Sequence, residues 1–181
     1  MGRGISWFLD RAPQCLALAN LGALASALTA QYAFGLLPCI LCLYQRVPFT
    51  LVALLSLGAL CFPDASPRLR RNLLALCALA LVVNSGIASF HVGVEHHWWA
   101  GTDECRGEGN TLPASSTDLL AAMSKPAVVR CDEPQWALFG ITMAGYNVAY
   151  SLALAFFAGW AAVGGKPPSA QARDHQGDRI P

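Results

Sequence analysis

Four stretches without a single Asp, Glu, Lys or Arg divide this chain: 12–45, 47–63, 72–94 and 135–165, which are 34, 17, 23 and 31 residues long. About 20 apolar residues in a helix cross the hydrocarbon of a bilayer. Three of the stretches suffice outright. The second suffices if it begins near Leu41 and the side chain of Arg46 either snorkels to the headgroups or is employed inside the protein. The runs LVALLSLGAL, NLLALCALALVV and AYSLALAFFAGW are continuous and do not alternate, which excludes the pattern of an outer-membrane barrel. In lipid the backbone must then be satisfied within each segment, which leaves helices. The expected fold is all-α: an integral membrane four-helix bundle with helices at about 15–36, 41–62, 72–92 and 140–162, forming a single transmembrane domain over 1–165.

Composition agrees. Charged residues make up 13% of the chain, about half the roughly 25% usual in soluble domains. A soluble helical bundle would keep a polar face on each helix, and these segments have none. Twelve Lys+Arg against 11 Asp+Glu leave no basic excess to neutralise phosphates, so nucleic acid is not an expected partner. Arg3 and Arg11 followed by Ala23-Leu24-Ala25 resemble a cleavable signal, but the uncharged run far exceeds an h-region of about 7–15 residues, so the segment is read as a retained span. No period of 20–50 residues repeats.

Four crossings put both termini on one side, with Arg3, Arg11, Arg68, Arg70, Arg71, Lys166, Arg173 and Arg179. Arg46, Arg106, Lys125 and Arg130 fall on the other. The positive-inside rule makes the termini cytoplasmic. Two loops then face outward, a short one around 37–45 and a long one from about 93 to 139. In the long loop, Ser116-Thr117-Asp118 followed by Leu119, Leu120, Met123, Val128 and Val129 reads as a short capped amphipathic helix lying on the membrane. The polar tail 166–181 is expected to be unstructured.

With that topology the seven cysteines sort by side. Cys39, Cys42, Cys105 and Cys131 face the oxidising outer space, where thiols pair. Cys15, Cys61 and Cys77 sit in or at the ends of apolar helices and read as small apolar fillers. Cys39-Ile40-Leu41-Cys42 follows Pro38 and opens the second helix, where the positive helix end stabilises a thiolate and the spacing lets the pair close. The same spacing serves zinc, but Cys105 and Cys131 lie 26 residues apart, unlike ligand pairs of known zinc sites, and no metal is expected. Arg46 comes one helical turn after Cys42, within reach of that sulfur or of a ligand docked beside it; an interfacial anchor is the other reading of it. His91 and Glu95 share a helix face at i, i+4. Trp98 and Trp99 mark the interfacial belt and put His91, His96 and His97 near headgroup depth. A histidine there either passes protons to a reducible ligand or simply hydrogen-bonds at the interface.

The run Pro38-Cys39-Ile40-Leu41-Cys42-Leu43-Tyr44-Gln45-Arg46, a second outer cysteine pair, and Cys131-Asp132-Glu133-Pro134-Gln135-Trp136 entering the last helix together resemble the DsbB family of bacterial inner membranes. The resemblance covers all four spans and both outer loops. It implies a quinone-dependent thiol oxidase that reoxidises DsbA, the soluble thioredoxin-fold oxidant of the periplasm. On this chain it further implies two redox-active disulfides, Cys39–Cys42 and Cys105–Cys131. Cys105 takes the mixed disulfide with DsbA, Cys131 then engages Cys39, and Cys42 is the thiolate facing ubiquinone or menaquinone with Arg46 beside it. Glu95-His96 resembles a Glu-His near the quinone in some relatives, with His91 and His97 competing for that place. Gln45 stands where some members carry Glu, so an acid role there is absent. Two rivals remain: a four-helix quinone reductase like the vitamin K epoxide reductases, where the C-x-x-C lies late in the bundle, and a membrane scaffold whose outer disulfides are inert.

Overall fold

The computed structural model describes residues 11–62, 65–106 and 129–164. Four long helices carry it: α1 (Ala12–Tyr32), α2 (Ile40–Cys61), α3 (Pro67–Glu95) and, after a short helix α4 (Asp103–Arg106) and a hairpin, α5 (Met143–Gly164). All four are long and apolar enough to cross a membrane. The amphipathic helix expected near 116–129 falls almost wholly outside the described residues, and so does the tail.

Two starts differ from expectation for local reasons. α3 begins before Arg68, Arg70 and Arg71 because Ser66 caps it, its Oγ accepting from Leu69 N at 3.3 Å, and Pro67 occupies the first turn. α5 begins at Met143 because β1 (Ala137–Leu138) and β2 (Ile141–Thr142) pair antiparallel around Phe139-Gly140, both at positive φ. That is the turn a two-residue hairpin requires.

The bundle is sorted the way lipid demands. Small and polar residues face inward: Ala155, Ala158, Ala161 and Ala162 of α5, with Ser56, Asn84 and Ser151. Leu18, Leu54, Leu79, Phe156 and Val163 face outward. In water such a surface would be an aggregation liability, whereas in hydrocarbon it costs nothing and the small residues let backbones approach. The core joins Leu16, Phe49, Val52, Leu74, Cys77 and Leu81 to the α5 alanines. α3 packs most extensively on α5, while α1 rests on α2 and barely touches α5. Pro48 inside α2 removes the bond to the Tyr44 carbonyl, and Thr50 Oγ1 donates to Arg46 O at 2.9 Å just beyond it.

The end of α3 sets up the site. His97, at positive φ, donates to Val94 O at 3.1 Å, and Trp98 N donates to Gly93 O at 2.9 Å, the paired bonds of a Schellman stop. The reversal folds Trp99 back onto α3, where its Nε1 donates to Phe90 O at 3.0 Å and its ring stacks on Phe90. Only a residue without Cβ fits beneath that ring: a methyl on Gly93 would overlap Trp99. Gly93→Ala should therefore destabilise by about 1–3 kcal/mol and loosen the Trp99 contact, read as lower melting temperature and red-shifted tryptophan emission. Unchanged melting would mean that Trp99 does not rest there.

Candidate redox site

Cys39 is the N-cap of α2, and its sulfur accepts from Cys42 N at 3.4 Å. The two sulfurs stand 3.2 Å apart as free cysteines. Cys39 is buried and Cys42 half-buried. The Cys42 thiol, and after it His91, hold Cys39 well below the ordinary thiol range despite the opposing effect of burial.

His91, on α3, is buried among these groups. Its Nε2 lies 3.6 Å from Cys39 Sγ and 3.7 Å from Glu95 Oε1, and its Nδ1 lies 3.0 Å from Gln45 Nε2. An amide nitrogen only donates, so Nδ1 accepts and Nε2 carries the proton toward Cys39. Gln45 Oε1 accepts from Asn147 Nδ2, and Asn147 Oδ1 accepts from Asn84 Nδ2 at 3.2 Å and from Ser151 Oγ at 2.9 Å. A ladder of amides thus crosses from α2 through α5 to α3 and ends on Asn84 Oδ1, a buried atom with no partner among the described residues. Glu95 is held by Thr142, whose Oγ1 donates to Oε2 at 2.6 Å.

The second pair is bonded. Cys105 and Cys131 form a disulfide with Cα atoms 5.1 Å apart. Both sit in one apolar cluster with Cys39, Leu41 and Val94, so the two pairs meet at the same end of the bundle. Tyr44 Oη donates to Glu104 Oε2 at 3.0 Å and Gln135 Nε2 to Leu37 O at 2.9 Å, tying both flanks of that disulfide to the start of α2. Arg130 pairs with Asp132 and holds its carboxyl below the usual range. The disulfide is only 1% exposed at either cysteine, so attack on either sulfur requires local opening of the chain around it.

A cavity of about 620 Å³ opens beside the first pair. Ala23, Ala27 and Phe49 supply apolar wall, and Cys39, Cys42, Gln45, Arg46, His91 and Glu95 supply its polar lining. Arg46 Nη1 donates to Gln31 Oε1 of α1 at 2.8 Å, which holds the guanidinium where Arg46 lines the cavity. His96 is not brought here. The helix stop leaves it exposed, stacked on Trp98 at 5.3 Å. Gln45, with no acid role, still has a structural part as the partner of His91. Asn84, Asn147 and Ser151 were missed, although uncompensated polar residues inside apolar spans were the available signal.

Residues 10–161 match the family described as disulfide bond formation protein DsbB. The chain belongs to the DsbB family. It is 32% identical over 132 residues to the disulfide bond formation protein B of Herminiimonas arsenicoxydans, covering 68% of this chain and 82% of the relative. It is 30% identical over 146 residues to the protein of that name from Haemophilus influenzae strain Rd, covering 78% and 76%. An uncharacterized protein of Rickettsia prowazekii, RP370, is 27% identical over 139 residues, covering 76% and 78%. No solved structure matches the chain. DsbB membership makes it a membrane protein of disulfide bond formation, a disulfide oxidoreductase.

Proposed function

We propose that this chain is a thiol:quinone oxidoreductase of the bacterial inner membrane, with both termini cytoplasmic and the cysteine loops periplasmic. It reoxidises a DsbA-type thioredoxin-fold dithiol oxidase and so sustains disulfide formation in exported proteins. The observation that carries this reading is the convergence of a bonded and a free cysteine pair in one apolar cluster, beside a cavity that pairs an apolar wall with Arg46, His91 and Glu95.

The exchange balances as two-electron steps. A thiolate of the reduced partner attacks Cys105, breaking Cys105–Cys131 and leaving Cys131 as the thiolate. The partner's second thiolate then resolves the mixed disulfide, or Cys131 attacks Cys39 of a closed Cys39–Cys42 pair and frees Cys42. Once Cys39 is held in a disulfide it carries no charge, and Cys42, in the first turn of α2, becomes the thiolate that the helix end and Arg46 favour. The donor set suits a quinone: apolar wall for a ring and tail, a guanidinium for a carbonyl oxygen, and an imidazole with a bound proton nearby. A quinone bound there supplies the terminal two-electron acceptor and leaves as quinol. Arg46 holds positive charge at the cavity, and His91, kept in one tautomer by Gln45, holds a proton at Nε2 beside the sulfurs.

The test is anaerobic stopped-flow absorbance of the purified full chain with a reduced DsbA-type partner and a short-chain ubiquinone or menaquinone. One quinone lost per partner dithiol oxidised is expected. Folded protein that consumes neither quinone overturns the reading and favours inert structural disulfides.

A further inference from the structure

Sulfur, sulfur and imidazole converge at the first pair in a way electron relay alone does not require. Cys39 Sγ, Cys42 Sγ and a nitrogen of His91 all lie within 4.8 Å of one another. Zinc takes thiolate at about 2.3 Å and imidazole at about 2.0–2.1 Å. An ion so placed would widen the 3.2 Å sulfur contact by a few tenths of an ångström and sit inside the 3.6 Å gap to Nε2. The donor set is soft, which selects zinc-class cations over calcium or magnesium.

We propose that Cys39, Cys42 and His91 form a redox-gated site for a thiophilic divalent cation, open only while both cysteines are reduced. It is an inhibitory site, distinct from any resident cofactor. A closed Cys39–Cys42 disulfide offers no thiolate and holds no ion. A bound ion occupies both sulfurs, so the pair can neither close nor accept Cys131 until the ion leaves. Binding forms two metal–sulfur bonds and one metal–nitrogen bond and leaves both sulfurs as thiolates, any thiol proton going to solvent, with no electron transferred.

The amide ladder supplies the support that ligating histidines need. Coordination through Nε2 moves the imidazole proton to Nδ1, which then requires an acceptor. Gln45 provides one by turning its amide over, so that Oε1 faces Nδ1. Asn147 and Asn84 turn in step, so that Asn84 Oδ1 accepts from Asn147 and Ser151 while its Nδ2 takes the position that Oδ1 now holds without a partner among the described residues. Glu95, 3.7 Å from His91 Nε2, or water takes the fourth position.

The experiment uses cobalt(II) as an optical probe and zinc(II) as its competitor, in the full chain with Cys105 and Cys131 replaced by serine, without quinone or partner. One equivalent of cobalt is expected to give the visible ligand-field bands of tetrahedral thiolate coordination in the reduced protein, and zinc should bleach them. The bands should be absent after Cys39–Cys42 is oxidised and in Cys39→Ser. His91→Ala should weaken binding at least tenfold. Gln45→Leu, which leaves all three donors in place, should weaken it about 10–100-fold, and Gln45→Glu, which keeps an acceptor, should not. Bands that persist in the oxidised protein, or affinities unchanged in both His91→Ala and Gln45→Leu, overturn the proposal. The inhibitory effect rests on the proposed oxidase reading, whereas the site itself is decided by the cobalt bands, which do not depend on quinone reduction.

Discussion

Cys105→Ala is expected to stop electron flow from a reduced thioredoxin-fold partner down to the uncatalysed background, while a small dithiol still drives quinone loss through Cys39 and Cys42. The two pairs are neighbours in one cluster but belong to different parts of the chain. Cys39 and Cys42 are fixed by the first turn of α2 and have no covalent tie to Cys105–Cys131. Among the described residues the second pair lies in the connection between α3 and α5, which can move without disturbing a transmembrane helix. Deleting Cys105 removes the sulfur proposed to form the mixed disulfide but leaves Cys39, Cys42 and His91 in the chain. The measurement is paired: stopped-flow oxidation of the partner, and quinone loss with a small dithiol as donor. Partner turnover surviving in Cys105→Ala would overturn the assigned order of attack. Loss of both activities would mean that the disulfide holds the first pair in shape rather than feeding it.

What the sequence disclosed depends on how far a feature reaches along the chain. The C-x-x-C, Arg46 one turn later, and His91 with Glu95 at i, i+4 are local, and each was legible because helical period fixes who shares a face. All four spans were legible because hydropathy is summed over about 20 residues and tolerates small errors. Their ends were not, since charge gaps ignore caps: Ser66 draws three arginines into α3, and the Phe139-Gly140 turn delays α5 to Met143. The same kind of local stop separates His91 from His96. Both looked equally near the headgroups, but the left-handed residue His97 ends the helix and turns His96 outward onto Trp98. The ladder from Gln45 to Asn147 and Asn84 lies on three helices and is a property of their lateral packing, which no single-chain period reports. The burial of the Cys105–Cys131 disulfide was hidden for the same reason.

Cys42→Ser should abolish quinone reduction with either electron donor, and Arg46→Ala should reduce it without abolishing it. The difference follows from what each group does. In the proposed relay Cys42 is the sulfur left unbonded when Cys39 engages Cys131, and a serine hydroxyl in its place neither ionises near neutral pH nor forms a disulfide, so no two-electron step can complete. Arg46 exchanges no electrons. It places a guanidinium on the cavity, braced by Gln31 from α1, and a hydrogen bond to a charged group contributes about 1.5–3 kcal/mol. Its loss should therefore lower kcat/KM for quinone roughly tenfold to hundredfold, while oxidation of Cys105–Cys131 by exchange with the first pair stays fast. Gln31→Ala should reproduce part of the Arg46 effect by releasing the guanidinium, which an Arg46 acting only as a lipid-headgroup anchor would not show. Full quinone turnover in Cys42→Ser would move the terminal step to another sulfur, and unchanged quinone kinetics in Arg46→Ala would reduce Arg46 to that anchor. Between those outcomes, the pattern of a complete loss at Cys42, a graded loss at Arg46 and a smaller one at Gln31 is what a cavity beside one reactive sulfur requires.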